Sequence, residues 1–496
     1  MEVPCSCGQA ERQSASRFPS YVRSGHFRKI HDAESAFLPR GDGSRHLLLE
    51  CRGLAHCCWC RMVRVAVLGL WHQGTVTAGC LAAAGHEVTA IDADQEVING
   101  LTQGRLPVDE PGLEELIRSS MRDGRLRFTT EAVSAAGKEV VWIAYDTPVD
   151  DDDQGDAGFV CSAVARLFPL LTDGTVVLIS SQLPVGSIAR LETEYRSSGA
   201  CSRVSFACSP ENLRLGSAIE VFSKPDRVVA GIRSEEDKAI LTRLWRPFTT
   251  NIEWMSVESA EMTKHALNGF LAVSIAYINE IATLCEKVGA DAAEVERGLK
   301  TDLRIGNRAY LHPGGGFGGG TLARDLSYLR RLGGELGTTV DLLDGANRSN
   351  IAHKQWIGRR LRAVVGSLQA KQICVLGLTY KPGTNTLRRS TAVELCTWMA
   401  REGAVVQAFD PAIRVLPEDI KGTIRLAGSA AEALQYADAA ILSTPWPEFR
   451  QLSPGIFKSR MRRPVVFDPD RFLETILGHS PELRYFAIGR PDETAG

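Results

Sequence analysis

R-V-A-V-L-G-L-W-H-Q-G-T-V-T-A-G-C-L-A-A-A-G-H-E-V-T-A-I-D, residues 64–92, reads as a strand, a helix and a second strand. Arg64 to Leu70 is a short apolar run of the kind a sheet buries on both faces. Val76 to Ala84 is helix-like, Gly85-His86 stops it, and Glu87 to Ile91 is a second strand ending at Asp92. Two such strands joined by a helix form a βαβ unit, and glycines at the first turn with an acid after the second strand make a dinucleotide fingerprint. On this reading Gly69 and Gly74 shape the turn, the helix N-terminus accepts a pyrophosphate, and Asp92 binds the adenosine ribose hydroxyls. An acid there favours NAD over NADP, whose extra phosphate it repels. The fingerprint is G-x-G-x-x-G, however, and Trp71 stands at its middle glycine. An indole at that point is expected to crowd the cofactor unless the turn is reshaped.

Further along, V-L-G-L at 375–378 repeats V-L-G-L at 67–70. A helix-like run Ala392 to Arg401 and a strand Val405 to Phe409 follow, ending in Asp410, so a second, diverged Rossmann-like unit is expected. Between the two units, Ser256 to Val288 is patterned as one long helix. Lys264 and Asn268, four apart, share a face; Asn279 returns to it nearly three turns later; Leu267, Leu271 and Ile275 are the expected core stripe. Buried strands are also expected at Lys138 to Ala144, running into D-T-P at Asp146 to Pro148, and at Thr175 to Ser180.

Y-L-H-P-G-G-G-F-G-G-G-T-L-A-R-D occupies 310–325, and six of its nine residues from His312 to Gly320 are glycine. That density abolishes helix and strand, because each glycine adds backbone freedom that folding must remove. The functional reading is a loop whose amides pack against a ligand with no side chains between; the alternative is a flexible linker. The Arg324-Asp325 pair and the helix-like Leu326 to Leu332 that close the stretch argue against the linker.

A chain of 496 residues exceeds the size at which one core keeps growing, so two or three domains are expected. Its net charge of −2 supplies no global field for nucleic acid or anionic membrane. The apolar runs are strand-length, and no membrane span is expected. Six cysteines precede Met62, and the other seven are scattered without paired spacing, which suits reduced thiols in a cytoplasmic enzyme. H-C-C-W-C at 56–60 lacks a matching second pair, so no metal site is expected. Residues 1–61 show no sustained period and read as disordered. Met62-Val-Arg-Val-Ala-Val-Leu-Gly is the natural first strand, so the preceding segment is expected to be a translated leader or an over-extended start. The acidic run Asp150 to Asp153 reads as a solvated loop.

The glycine-rich stretch resembles the active-site loop of the UDP-glucose/GDP-mannose dehydrogenase family, G-x-G-F-G-G-x-C-x-x-K-D, with Gly314 to Gly320 and Asp325 matching. Thr321 stands at the cysteine and Arg324 at the lysine. Glu261, Lys264 and Asn268, with N-E at 279–280, follow the family's E-x-x-K-x-x-x-N central helix. S-Q-L-P-V-G-S at 181–187 is similar to S-T-V-P-V-G-T, with Gln182 for a threonine. S-P-E-N-L-R-L-G-S-A at 209–218 is similar to N-P-E-F-L-R-E-G-x-A, keeping Glu211 but carrying Leu215 at a second glutamate. T-Y-K-P-G-T-N-T-L-R-R-S at 379–390 keeps Arg388 and Ser390, while Asn385 and Thr386 replace two aspartates. The resemblance covers about residues 62 to 490.

It implies an N-terminal NAD-binding Rossmann domain at 62–255, a central helical domain at 256–349, and a C-terminal Rossmann-like nucleotide-sugar domain at 350–496. The fold class is thus α/β, with two doubly wound parallel-sheet domains joined by a long helix. It further implies oxidation by NAD of the C6 hydroxyl of a UDP- or GDP-linked hexose, and a homodimer through the 256–288 helix. Glu211, Lys264, Asn268, Thr321 and Asp325 become catalytic candidates, Thr147 a nicotinamide-side contact, and Tyr310, Gly318, Arg324 and Arg388 substrate contacts. In the family a cysteine captures the aldehyde as a thiohemiacetal; a threonine hydroxyl is far less acidic than a thiol and needs an adjacent base. Cys208, ahead of the Glu211 motif, is the alternative nucleophile. Two readings stand: a dehydrogenase working without a covalent intermediate, stopping at the aldehyde or hydrating it to reach the acid, and a non-catalytic binder of NDP-sugar or NAD acting as a sensor or assembly partner.

Overall fold

The computed structural model describes residues 62–148, 155–210, 213–318 and 320–491. The expectations for residues 1–61, the acidic run Asp150 to Asp153 and Glu211 lie outside the described residues. Eight strands form the first sheet: β1 (Arg64–Leu68), β2 (Glu87–Ile91), β3 (Leu126–Thr129), β4 (Val140–Ile143), β5 (Val176–Ile179), β6 (Ser205–Cys208), β7 (Val228–Gly231) and β8 (Ile252–Met255). They lie in the order β3-β2-β1-β4-β5-β6-β7-β8, and β6 meets β7 antiparallel while the other pairs are parallel. The six strands β9 (Gln372–Leu376), β10 (Val405–Phe409), β11 (Ile424–Leu426), β12 (Ala439–Leu442), β13 (Val465–Phe467) and β14 (Arg484–Phe486) make a second sheet, ordered β11-β10-β9-β12-β13-β14.

Helices cover both faces, which is why β4 and β5 read as unbroken apolar runs: all four residues of each are buried. Full burial of a Val, Leu or Ile contributes about 1.5–3 kcal/mol, so these central strands anchor the domain. In both sheets the connection reverses direction beside the first strand of the unit, at β1/β4 and at β9/β12. Ligand crevices open at such switch points, beyond the carboxyl ends of the strands.

Between the sheets runs the central helix Val257–Val288, capped by Ser256 and ended by Gly289 at φ +77°. Leu267, Leu271 and Ile275, the expected core stripe, are only half-buried. The deeply buried apolar positions are instead mostly small, Ala260, Ala272, Ala276 and Ala282 beside Val257 and Ile278, because the helices packed on it approach closely. By length and composition it is the one helix among the described residues that could cross a membrane. Its buried Glu261, Asn268 and Asn279 and its packing against the helices Thr321–Glu335 and Asp341–Lys354 make it a core element here. The helix Asp341–Lys354 runs through the expected 349/350 domain border. The second sheet begins only at Gln372, so helices continue beyond that border.

Candidate active site

The first crevice is built from β1 and the helix His72–Ala83. Gly69 adopts φ +89°, and a Cβ there would sit 2.6 Å from the Tyr145 ring. A Cβ on Gly74 would lie 1.8 Å from the Gly69 carbonyl oxygen, so the strand–helix turn closes only with glycine at both places. Trp71 does not block this turn. Its side chain is half exposed, its carbonyl accepts from the Thr75 amide at 3.1 Å, and helix begins at His72. No side chain caps that N-terminus, leaving first-turn amides for an anion. Asp92 accepts from the Leu70 amide at 2.7 Å and the Asp94 amide at 3.0 Å yet stays partly exposed. Gln73, buried at the start of the helix, lines the crevice with a side-chain nitrogen that has no partner. An open helix terminus, an acid at the end of β2 and an orphaned donor fit a dinucleotide.

Beyond this turn lies a cavity of about 260 Å³, walled by the ends of β4 to β6, the central helix and the start of the helix Thr321–Glu335. Thr147, Lys264, Thr321 and Arg324 all line it. Asp325 stands behind the wall, 0 % exposed. One of its oxygens accepts from Gln182 Nε2 and from His265 Nδ1 (2.8 Å), and the other accepts from Asn268 Nδ2. Gln182 Oε1 accepts from Arg324, and its backbone carbonyl accepts from the Thr147 hydroxyl at 2.7 Å. Gln182 therefore does more than replace a threonine: it joins the ends of β4 and β5 to Arg324 and Asp325.

Three further groups were assigned no role from sequence. His265, adjacent to Lys264, contacts the Leu183 carbonyl at 3.0 Å and lies against the Tyr328 ring. Glu261 accepts from the Gly186 amide (2.7 Å) and the Ile188 amide (3.1 Å). Burial pushes its carboxyl up, and those two amides oppose the shift. Asp146, beside Thr147, is exposed into the same cavity. Glu261 was visible in the E-x-x-K spacing, but nothing local in sequence assigns it a partner. Cys208 also lines the cavity, and burial pushes its thiol far above the ordinary cysteine range, which disfavours the thiolate a nucleophile needs.

The second crevice, about 860 Å³, opens at the β9/β12 switch point. Tyr310, Gly316, Gly318 and Lys381 line it, together with Thr321, which belongs to both cavities. The glycine-rich loop between them is held rather than loose. The Gly314 amide donates to Asn279 Oδ1 (3.1 Å), its carbonyl meets His353 Nε2 (2.9 Å), and the Gly315 amide donates to Asp470 (2.8 Å). Asn350 accepts from the Phe317 amide and donates to its carbonyl. A Cβ on Gly314 would meet Asp470 at 2.4 Å, on Gly316 Asn350 and Lys354 at 2.9 Å, and on Gly318 Thr391 at 2.9 Å. The protein's own side chains thus crowd the space a Cβ would take at these three positions, a reason for glycine beside the close approach of a ligand. Arg388 lies on an exposed turn and lines neither cavity. Lys381 donates to the Leu215 carbonyl at 2.8 Å, which ties the two sheet domains together. Among the described residues no His, Cys, Asp or Glu cluster could hold a metal.

Three family models match in succession: the UDP-glucose/GDP-mannose dehydrogenase family's NAD binding domain at 63–249, its central domain at 258–352 and its UDP binding domain at 374–475. A UDP-glucose 6-dehydrogenase of Rhizobium meliloti is 35% identical over 438 residues, covering 87% of this chain and 100% of its own. One from Bacillus subtilis is 33% identical over 434 residues, covering 87% and 94%. A solved UDP-glucose dehydrogenase from Pyrobaculum islandicum superposes with a TM-score of 0.75 at 30% identity, over 82% of this chain and 94% of that one. With all three domains matched in order, the chain belongs to the UDP-glucose/GDP-mannose dehydrogenase family.

Proposed function

We propose that this chain oxidises the C6 hydroxyl of a UDP- or GDP-linked hexose with NAD, as a step in polysaccharide-precursor synthesis. The match to a UDP binding domain favours the UDP-linked sugar. The observation that carries the reading is Thr321, which lines both cavities: a sugar held in the larger one meets a nicotinamide held in the smaller one at this residue. When bound, NAD supplies the acceptor for a hydride.

The chain's own residues supply the rest. Lys264 faces the cavity and stabilises the sugar oxygen as charge develops on it. Thr321 opens a 15-residue helix, so its hydroxyl sits at the positive end of the dipole and donates to the same oxygen. Asn268 and Asp325, bonded to each other behind the wall, hold Gln182 and the central helix in place. Tyr310 and Gly318 contact the sugar from the larger cavity, and Arg324 reaches it from the smaller one. Without a thiol at 321 no thiohemiacetal forms, and the reaction stops after one hydride, at the aldehyde.

The test is NADH yield per sugar with the full chain, NAD and a series of UDP- and GDP-hexoses, plus an aldehyde trap. One NADH per sugar with a trapped aldehyde is expected; two overturn the single-step reading. No NADH, with sugar binding retained by calorimetry, favours the second reading, a non-catalytic sensor or assembly partner. Replacement of the nucleophile and enclosure of Asp325 support that alternative.

Phe270, Tyr277 and Leu284 recur at seven-residue intervals on the central helix, and with Val288 they form an exposed stripe. This supports a homodimer through the helix, measurable as twice the chain mass by light scattering. The seven cysteines among the described residues are free, in keeping with the cytoplasm.

A further inference from the structure

We propose that Asp146 is the proton acceptor of the oxidation, taking the proton of the sugar hydroxyl as its C–H bond breaks; this rests on the dehydrogenase reading above. Among the described residues, three carboxylates stand at or directly behind the catalytic cavity. Asp325 is fully buried, and both its oxygens accept from Gln182, His265 and Asn268. Glu261 spends one oxygen on the Gly186 amide and the other on the Ile188 amide. A carboxylate so engaged loses those bonds on taking a proton. Asp146 alone is exposed into the cavity, at the end of β4 where the switch point aims the chain at a ligand. Leu215, where the family carries a second glutamate, takes no proton at all.

The step balances without another reactant. The hydroxyl O–H bond breaks, its proton passes to an Asp146 carboxylate oxygen, and the electron pair left on oxygen forms the second C–O bond. The C–H pair leaves as hydride to NAD, so the alcohol is oxidised to the aldehyde and the cofactor reduced. Asp146 then returns the proton to water, to which it is open.

Its surroundings suit a base. Although Asp146 stays open to solvent, the protein atoms crowded around it in the cavity wall partly desolvate its carboxyl and push it up from the ordinary aspartate value, while His72 and then Arg324 act in the opposite direction. A base raised toward the working pH is the more effective one. The charged and titratable groups facing it are His72 from the first helix, Arg324 from the loop helix, and Lys264, His265 and Glu261 from the central helix. Tyr145 and Cys208, also in the wall, are held neutral by burial.

The variants are Asp146→Asn and Asp146→Glu in the full chain, with Glu211→Gln beside them. Because the base works deprotonated, wild-type kcat falls as pH falls through the Asp146 pKa. Asp146→Asn is expected to lower kcat about 10²- to 10⁴-fold and to abolish that acid limb, and Asp146→Glu to restore the limb. NAD affinity by calorimetry is expected to stay within about threefold, since the group acts on the sugar hydroxyl. Retention of kcat by Asp146→Asn overturns the proposal, as does a loss of NAD affinity beyond about tenfold. So does an acid limb that vanishes in Glu211→Gln and persists in Asp146→Asn. NADH from wild type and Asp146→Asn alike sinks only this proposal, whereas no NADH from wild type sinks the dehydrogenase reading with it.

Discussion

A side-chain amide carries a donor and an acceptor at one end, so it can join two groups of opposite charge, and Gln182 does so between Arg324 and Asp325. Gln182→Leu leaves a buried carboxylate short of a donor and a guanidinium short of an acceptor. Urea unfolding should show a loss of about 1–3 kcal/mol. Thr321→Cys puts a thiol at a helix N-terminus near Arg324, conditions that lower a thiol pKa. It should react with iodoacetamide at neutral pH while buried Cys208 stays unlabelled, and NADH yield per sugar should rise above one. Departures such as Thr321, Gln182 and Leu215 were legible as letters, but their consequences were not. Which group Gln182 reaches depends on contacts 142 and 143 residues away along the chain. Trp71 shows the opposite failing: its bulk was legible, while its outward direction is set by the turn.

The glycine-rich loop is an element held almost wholly by side chains from elsewhere: Asn279, Asn350, His353 and Asp470. Gly316→Ala forces Asn350 and Lys354 aside and should cost about 1–3 kcal/mol of stability by denaturant titration. His353 gives the loop a pH dependence. Burial draws its proton affinity below that of free histidine, while the Gly314 carbonyl acts the other way. The unfolded chain therefore takes a proton more readily than the folded one. The stabilisation is complete above the unfolded value, about 6.5, and is lost as pH falls below it. Melting temperature and sugar affinity should both decline below about pH 6.5, and His353→Gln should flatten that decline. The strands and the central helix could be read from periodicity nearly to their ends. The helix at His72 begins four residues before its apolar pattern, because the turn at Gly69 starts it, and the small-residue core stripe followed from neighbours that periodicity does not contain.

At the scale of the molecule, two sheets with the same switch-point plan take different ligands. Gly69 and Gly377 share φ +89°, and Asp92 and Asp410 each accept an amide from the turn. Asp410, however, is fully buried and also bonded to Thr379, Ala412 and Trp446, so no ribose reaches it. Calorimetry should therefore count one NAD per chain, and Asp92→Asn should weaken it about tenfold, on the scale of one hydrogen bond to a charged group. The duplication was legible in V-L-G-L; the silencing of its second copy was not, since Trp446 is 36 residues from the acid it fills. Thr321, a single residue common to both crevices, brings their occupants to one shared wall. Whatever factor NAD imposes on the affinity for the sugar, the sugar must impose on the affinity for NAD. A nucleotide analogue in the far lobe is thus a gauge of how full the near one is.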